Sequence, residues 1–340
     1  MKAFLKGQSH KANNKFINRV VWAFNQANIR LTPFNTAAWL PLNSDSKTAN
    51  KPINNKTVSK LTFSVLISSL FLTASHTALA NPADTIKINQ QALQPGGFVK
   101  GQLNNCLSYQ ISDSQTQQQG KCTQEGAFLF GFGRDADLTQ TATFTLADNS
   151  TLTHTFTLQS RDYKIDRVNG VPSKTVNPPQ SVLDRISKEN GEIWLARNKE
   201  SNSKDFLQSF IWPAKGRISG VYGSQRVFNG TPKRPHFGLD IAAPTGTQII
   251  APADGVITVA HPDMFYSGGT IILDHGFGIS STFIHMSKLH VKKGDTVKQG
   301  ELIGEIGKTG RATGPHLDWR INWYQIRLDP AFWVPAGGHQ

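Results

Sequence analysis

The sequence predicts a mainly β protein with two β-structured parts joined by a linker that contains one helix. Residues 81–176 are expected to form a small β-sandwich, residues 177–209 the linker, and residues 210–340 an antiparallel β-sheet domain with a groove. Three observations support this prediction. The chain has 29 glycines and 17 prolines, apolar and polar residues alternate in short runs, and the last third contains no long helical pattern.

The first 80 residues are predicted to be an N-terminal extension and a signal peptide. Lys60 precedes an apolar stretch at about 61–74, and the small residues before the predicted cleavage site, after Ala80, fit a signal peptidase. The stretch is short for a transmembrane helix, so no membrane span is expected in the mature chain. The protein is therefore predicted to be exported, to the periplasm or the extracellular space.

The charge of the chain is concentrated in this extension. Residues 1–80 carry ten Lys/Arg and one acidic residue, whereas the remainder carries 26 Lys/Arg and 22 Asp/Glu. The mature chain is thus only mildly basic and has no aromatic-basic platform, so no nucleic-acid partner is expected. Because no Met lies between Met1 and Met264, one hypothesis is that translation begins near Val58 or Leu61.

The predicted sandwich rests on alternating runs such as TATFTLADNSTLTHTFTLQ, in which Asp148-Asn149 is expected to form a hairpin turn. Its single histidine, His154, is expected to lie on the surface. Cys106 and Cys122 can pair as a disulfide in an oxidising compartment, with two free thiols as the alternative. A disulfide that closes a loop of about 15 residues would contribute about 3 kcal/mol of stability.

The linker begins where Pro178-Pro179 interrupts the strand pattern. From Pro179 to about Ser201 the apolar residues are spaced for an amphipathic helix, with Gly191 as a weak point. The chain then returns to short, Gly-punctuated β segments from Phe210 onward.

Seven of the ten histidines fall in the last domain, at 236, 261, 275, 285, 290, 316 and 339. In HFGLD, His236 and Asp240 are four residues apart and can share one face, and Gly238 between them leaves room for an ion. The alternative is a surface His and Asp that hydrogen-bond to each other. The histidines at 261, 275, 290 and 339 lie in turn-like contexts and are expected to be structural or solvent-exposed.

Two further segments can complete a metal site. FIHM places His285 in a strand, and GPHLDW places His316 and Asp318 two residues apart, on one face of a strand. Catalytic zinc takes three protein ligands and keeps a fourth position open. The three ligands can be supplied by His236, Asp240 and either His316 or Asp318. Two histidines then remain for catalytic duty or for contacts around the ligands.

From about Trp212 to Pro335 the chain resembles the lysostaphin-type (LytM-like) zinc endopeptidases, which cleave peptide cross-links in peptidoglycan. The resemblance rests on GVYGSQR, HFGLDIAAPTGTQIIAPADGVI, GGTIILDHGFG, FIHMSKLHVKKGDTVKQGELIG and GKTGRATGPHLDW, in this order. It implies a sheet core of the duplicated-hybrid-motif type, one Zn²⁺ ion, and peptidoglycan stem or cross-bridge peptides as partners. Residues 81–176 also resemble the β domain that precedes the peptidase in one exported bacterial subgroup.

Carried over by position, the resemblance implies that His236 and Asp240 are zinc ligands and that His285 and His316 are catalytic. The third ligand of the family is a histidine, and here that position is Asp318. In one interpretation Asp318 replaces the histidine, because its carboxylate oxygens and the Nδ1 of His lie equally far from Cβ and zinc accepts both atom types. A second negative charge should, however, make the ion acidify its water less.

In the other interpretation the site is degenerate, and the domain binds peptidoglycan or activates another cell-wall hydrolase. We favour an active or weakly active metalloendopeptidase, because a site that had lost its function would be expected to lose several of its polar groups, whereas His236, Asp240, His285 and His316 are all present. A biotinyl or lipoyl carrier domain is suggested by VKKGDTVKQGELIG, but the exposed Met-Lys hairpin of such carriers is missing.

Overall fold

A computed structural model describes residues 85–168, 180–228 and 230–340. The predicted fold class is confirmed: the chain is mainly β, its sheets are almost entirely antiparallel, and the described residues include one α-helix. The predicted signal peptide, its cleavage site after Ala80 and the Pro178-Pro179 break lie outside the described residues.

The N-terminal strands are β1 (Lys87–Gln91), β2 (Phe98–Gln102), β3 (Cys106–Ser112), β4 (Gln117–Lys121), β5 (Ala127–Gly131), β6 (Thr139–Leu146), β7 (Thr151–Thr157) and β8 (Ile165–Val168). The helix is α1 (Leu183–Arg197), with 3₁₀ turns at Gln180–Val182, Asp205–Leu207 and Pro330–Phe332. The C-terminal strands are β9 (Arg217–Gly220), β10 (Gln225–Phe228), β11 (Thr231–Pro232), β12 (Leu239–Ala242), β13 (Gln248–Ile250), β14 (Gly255–Met264), β15 (Gly268–Gly276), β16 (Ile279–Met286), β17 (Lys288–Leu289), β18 (Thr296–Val297), β19 (Leu302–Glu305), β20 (His316–Trp323) and β21 (Ile326–Leu328).

Two small sheets face each other in the N-terminal half. One has the strand order β1-β2-β5 and the other β4-β3-β6-β7. Aromatic side chains from both sheets meet between them, for example Phe128 of β5 against Phe144 of β6, with ring centroids 4.8 Å apart. The β6–β7 hairpin turns at Asn149, whose φ of 64° lies in the left-handed region that Asn tolerates. Cys106 and Cys122 are joined by a disulfide.

The C-terminal half is organised around one eight-stranded antiparallel sheet. Its order is β18-β14-β15-β16-β20-β12-β9, with β21 paired to β20. Strand β20 shows strict alternation: Leu317, Trp319, Ile321 and Trp323 are fully buried in the core. The side chains of His316, Asp318, Arg320 and Asn322 therefore lie on the opposite face of the sheet. This polar face carries the candidate site.

Helix α1 packs on the same face, beside that site. Ile193 and Ala196 contact the buried side chains of Val259, Met264 and Ile272. Ile272 pairs with Thr282, which in turn pairs with Arg320 of β20, so all of these side chains share one face. The C-terminal turn of α1 also reaches this face, because Arg197 Nη2 donates to Thr282 Oγ1 at 3.4 Å. The polar face of β12 and β20 beside this turn is referred to as the groove.

The two halves share a continuous core. The ring of Phe98 on β2 packs against that of Trp333 at a tilt of 33°, with centroids 4.4 Å apart, and Arg161 forms an ion pair of 2.6 Å with the buried Asp329. The described residues accordingly belong to one compact unit. Within the described ranges, no helix combines the length and hydrophobicity that a bilayer span requires.

Candidate functional site

The pairing of β12 with β20 brings two carboxylates together. Asp240 lies directly opposite Asp318, and Ala242 lies opposite His316. Leu239 and Ile241 point into the core, so Asp240 faces the groove together with Asp318. Like charges directly across a ladder destabilise a sheet. This arrangement therefore requires positive charge between or beside the two carboxylates.

His236 lies three residues before β12 and turns back over the two acids. Its Nε2 is 3.2 Å from Asp240 Oδ1, and its Nδ1 is 4.0 Å from Asp318 Oδ2. Both Nε2 and Asp240 Oδ1 are buried, and neither has a partner with hydrogen-bond geometry. Burial lowers the pKa of His236, but the carboxylates of Asp240 and Asp318 outweigh it and hold that pKa above its usual value.

Asp318 is already paired with a cation on its own strand. Arg320 Nε donates to Oδ1 at 2.9 Å, and Arg320 Nη2 donates to Oδ2 at 2.5 Å. Burial raises the pKa of Asp318, but the guanidinium of Arg320 overcomes this and brings it down to about 2. Asp318 is thus a buried, ionised carboxylate.

The missing side chain of Gly238 leaves space for the ion pair of Asp318 and Arg320. A Cβ built at Gly238 would lie 2.0 Å from Asp318 Oδ1 and 2.9 Å from Arg320 Cγ. From the sequence, the space at Gly238 was expected to receive an ion between His236 and Asp240. The space is instead filled by the Asp318 carboxylate and the stem of Arg320.

His285 and His316 lie side by side next to the acids, with ring centroids 4.8 Å apart. The Nδ1 of His285 is 2.8 Å from the Thr309 carbonyl, and that of His316 is 2.8 Å from the Gly314 carbonyl. A carbonyl oxygen only accepts, so each Nδ1 carries the hydrogen, and in the neutral ring each Nε2 keeps its lone pair. His316 Nε2 is 3.9 Å from Asp240 Oδ1.

The backbone of His285 departs from regular strand geometry. Ile284 pairs with Asp318 on the groove side, so strict alternation would send His285 into the core. The pairing of β15 with β16 shifts between Gly269 and Ile271, and His285 has a φ of 68°. Bulges of this kind re-aim a side chain, and left-handed non-glycine residues cluster at functional sites. Burial of the redirected ring lowers the pKa of His285, so it is neutral at pH 7.

The donor set fits a metal ion. One ligand atom from each of His236, Asp240 and Asp318 lies within 4.8 Å of the other two. Ligands at about 2.0–2.2 Å from a tetrahedral zinc ion stand about 3.4 Å apart, so a small contraction would satisfy the geometry. The two buried atoms without partners, His236 Nε2 and Asp240 Oδ1, are those that an ion would satisfy.

The other histidines of this domain have structural contacts, as expected, but His261 and His275 lie in β14 and β15 and not in the predicted turns. His275 is buried between the Asp254 carbonyl and Ser281 Oγ, and His290 pairs with Glu305. Sequence reasoning missed Arg320. The available signal was its position two residues after Asp318, which places a cation on the same strand face as the acid.

Residues 234–330 match the family model described as Peptidase family M23. The peptidoglycan DD-endopeptidase ShyA of Vibrio cholerae is 37% identical over 128 residues, covering 37% of this chain and 29% of that protein. The DD-carboxypeptidase/endopeptidase Mpg of Neisseria meningitidis is 44% identical over 91 residues, covering 26% of this chain and 21% of that protein. The chain thus spans less than a third of either relative.

Among solved structures, a putative peptidase M23 from Pseudomonas aeruginosa has a similar fold. It is 27% identical in sequence, with a TM-score of 0.56, and the match covers 71% of this chain and 95% of that chain. The structural similarity therefore extends well beyond residues 234–330, into the N-terminal β structure.

Proposed function

Because residues 234–330 form a domain of peptidase family M23, we propose that this chain is a zinc-dependent endopeptidase that hydrolyses peptide cross-links of bacterial peptidoglycan. One observation carries the proposal. His236 Nε2 and Asp240 Oδ1 lie close together, both are buried without hydrogen-bond partners, and Asp318 lies beside them. The name of the ShyA relative, a peptidoglycan DD-endopeptidase, supports the substrate class, and the name of the Mpg relative supports the endopeptidase activity.

His236, Asp240 and Asp318 would hold one Zn²⁺ ion. When bound, zinc would polarise the scissile carbonyl and lower the pKa of a water. Arg320 contributes by keeping Asp318 ionised and oriented, since hydrogen bonds to a ligating carboxylate fix its position. Each carboxylate oxygen has a second lone pair, so the Arg320 bonds leave Asp318 able to act as a ligand.

His285 and His316 would move the protons of the reaction. The Nδ1 of each ring is held by a backbone carbonyl, which leaves its Nε2 as the basic atom. The Nε2 of His316 lies 3.9 Å from Asp240 Oδ1, and the ring of His285 lies beside that of His316. One of them can accept the proton of the attacking water and return it to the leaving amine, and the other can donate to the oxyanion once it is protonated. Peptidoglycan lies outside the cytoplasm, so we also propose that the chain is exported by the signal peptide predicted within residues 1–80.

Zinc content and hydrolysis of purified sacculi test this function. The His236→Ala variant should lose both the bound zinc and the hydrolysis of sacculi, because one of the proposed ligands is removed. His316→Ala should keep stoichiometric zinc and lose hydrolysis by about 10²–10⁴-fold. His154→Ala is the matched control, since this exposed ring lies on β7 of the N-terminal sandwich. Full hydrolysis by His316→Ala with metal bound would contradict the assigned role.

One observation favours a second candidate, a zinc-free module that binds peptidoglycan or activates another hydrolase. Both oxygens of Asp318 already accept hydrogen bonds from Arg320, and this cation would lie close to a divalent ion. The two candidates differ in metal content. Protein purified from zinc-supplemented cells should contain one zinc per chain if it is a peptidase and none if it is such a module.

A further inference from the structure

Beyond Asp318, the groove face of β20 continues into a patch rich in arginine. Arg320 pairs with Thr282 of β16, and the Oγ1 of Thr282 lies 3.4 Å from the Nη2 of Arg197 at the end of α1. Two residues after Arg320, Asn322 pairs with Arg327 of β21, whose Nη1 lies 3.4 Å from Asn322 Oδ1. The helix and two strands thus direct three guanidinium groups to one patch.

Only one of these three arginines forms an ion pair with an acid among the described residues. Arg320 holds Asp318, whereas Arg197 and Arg327 form no ion pair with any acid in the described part of the chain. Arg197 is only 5% exposed, and its Nε is buried without a hydrogen-bond partner. Burial, reinforced by the neighbouring arginines, lowers the pKa of Arg197 to about 9 and that of Arg327 well below its usual value. The patch is therefore short of negative charge.

A buried guanidinium without a counter-charge is costly, and its planar fork matches a carboxylate held through two parallel hydrogen bonds. We propose that Arg197 and Arg327 form a carboxylate-binding subsite that receives a free carboxylate of the peptide substrate. This inference rests on the proposed function, because it assigns the ligand of the same groove.

The position of the subsite determines which carboxylate it can take. Arg320 and Asn322 follow Asp318 by two and four residues on β20, and a strand advances about 3.3 Å per residue. The subsite thus lies roughly 7–13 Å along the strand from Asp318. An extended peptide bound in the groove advances by a similar distance per residue. If its scissile bond lies beside Asp318, the carboxylate that reaches the subsite would be two to four residues away from that bond. The acidic groups of stem peptides have the required chemistry.

Binding without hydrolysis tests the subsite in the full chain. The probes are an acetylated peptide that ends in D-Ala-D-Ala with a free carboxylate, the same peptide as its carboxamide, and inorganic phosphate. Titration calorimetry should show that the free acid binds about 10–100-fold more tightly than the amide, as expected for a charge-assisted pair. Phosphate binding at least as tight as that of the acid would overturn the assignment to a peptide carboxylate.

Arg327→Gln and Arg197→Gln should each reduce the preference for the acid to less than threefold, while Arg167→Gln on the exposed side of β8 should leave it unchanged. A second measurement separates recognition from folding. Removing an unpaired buried cation should leave the ligand-free protein equally or more resistant to urea, whereas a structural arginine would leave it less resistant. Equal binding of acid and amide by the folded wild-type chain would refute the subsite.

The two proposals fail in different ways. If the protein contains no zinc and sacculi are not hydrolysed, but the free acid is still bound selectively, the peptidase function is wrong and the subsite stands. If sacculi are hydrolysed but acid and amide bind equally, the function stands and the subsite is wrong.

Discussion

The carboxylate of Asp318 accepts two parallel hydrogen bonds from Arg320, which follows it by two residues on the same strand face, at 2.9 and 2.5 Å. Asp240 lies directly opposite Asp318, so the site would otherwise hold two adjacent negative charges. Arg320 offsets one of them. Together with Arg320, the proposed ligands His236, Asp240 and Asp318 would carry the same net charge as two neutral histidines and one carboxylate. The guanidinium would therefore compensate for the loss of metal acidity that Asp318 alone would cause.

Arg320→Gln should therefore destabilise the metal-free protein. The substitution leaves the 3% exposed Asp318 unpaired and facing Asp240. Breaking a buried ion pair by removing one partner costs about 3–5 kcal/mol, and the partial exposure of Arg320 places the expected loss of unfolding free energy at about 3 kcal/mol. Urea denaturation in EDTA measures it, with Arg167→Gln as the surface control. A loss below about 0.5 kcal/mol would show that the pair is not stabilising.

Asp318→His should weaken zinc binding, although it installs the residue type that the resemblance to lysostaphin-type endopeptidases implies at this position. The substitution removes the partner of Arg320 and leaves its guanidinium next to a divalent ion. We expect zinc affinity to fall by about 10–100-fold, the usual range for a disturbed environment around a ligand. The double variant Asp318→His/Arg320→Gln should recover most of this loss, since it removes the uncompensated cation.

Competition with a chromophoric chelator measures both affinities. The diagnostic result is strong non-additivity between the two substitutions. If Asp318→His alone binds zinc more tightly than the wild type, Asp318 is a weakened ligand and Arg320 does not compensate for it.

The sequence predicted the fold class and the set of residues that the structure brings together, because alternation and motif spacing are local properties. Two features could not be predicted in this way. Regular alternation would bury His285 in the core, and only the shifted β15–β16 pairing and a φ of 68° direct it to the groove. Strand alternation does place Arg320 on the same face as Asp318. Their two parallel hydrogen bonds also depend on the side-chain rotamers that the missing Cβ of Gly238 leaves room for, and periodicity carries no information about rotamers.

Gly238→Ala should disrupt the site without changing any polar group. The new methyl would lie 2.0 Å from Asp318 Oδ1, so the carboxylate and Arg320 would have to shift. Overpacking of this kind typically costs about 1–3 kcal/mol, and we expect zinc affinity to fall as well. Gly191→Ala in α1 is the matched control, because no atom lies within 4 Å of the added methyl and Ala favours a helix by up to about 1 kcal/mol.

Thermal unfolding and zinc titration compare the two variants. Gly191→Ala should be as stable as the wild type or more so, with unchanged zinc affinity. Wild-type stability and zinc binding in Gly238→Ala would show that the Asp318 carboxylate can move freely, which would contradict its proposed role as a positioned ligand.

His275 should make the protein sensitive to acid independently of the metal site. Its ring is fully buried, with Nδ1 2.7 Å from the Asp254 carbonyl and Nε2 2.9 Å from Ser281 Oγ. Burial lowers the pKa of His275 to about 4, whereas the unfolded chain has the ordinary value near 6.5. Between these two values the unfolded state binds more protons, so stability falls as the pH decreases through this window.

The stabilisation that comes from keeping His275 neutral in the folded state is fully present above about pH 6.5. Roughly 3 kcal/mol of the unfolding free energy should be lost by pH 4. His275→Asn removes the titrating ring and keeps a donor for the Asp254 carbonyl. It should be less stable than the wild type at pH 7, and the difference should shrink as the pH falls toward 4. Urea unfolding of both proteins in EDTA across this range provides the measurement, and parallel stability curves would show that His275 is protonated equally in both states.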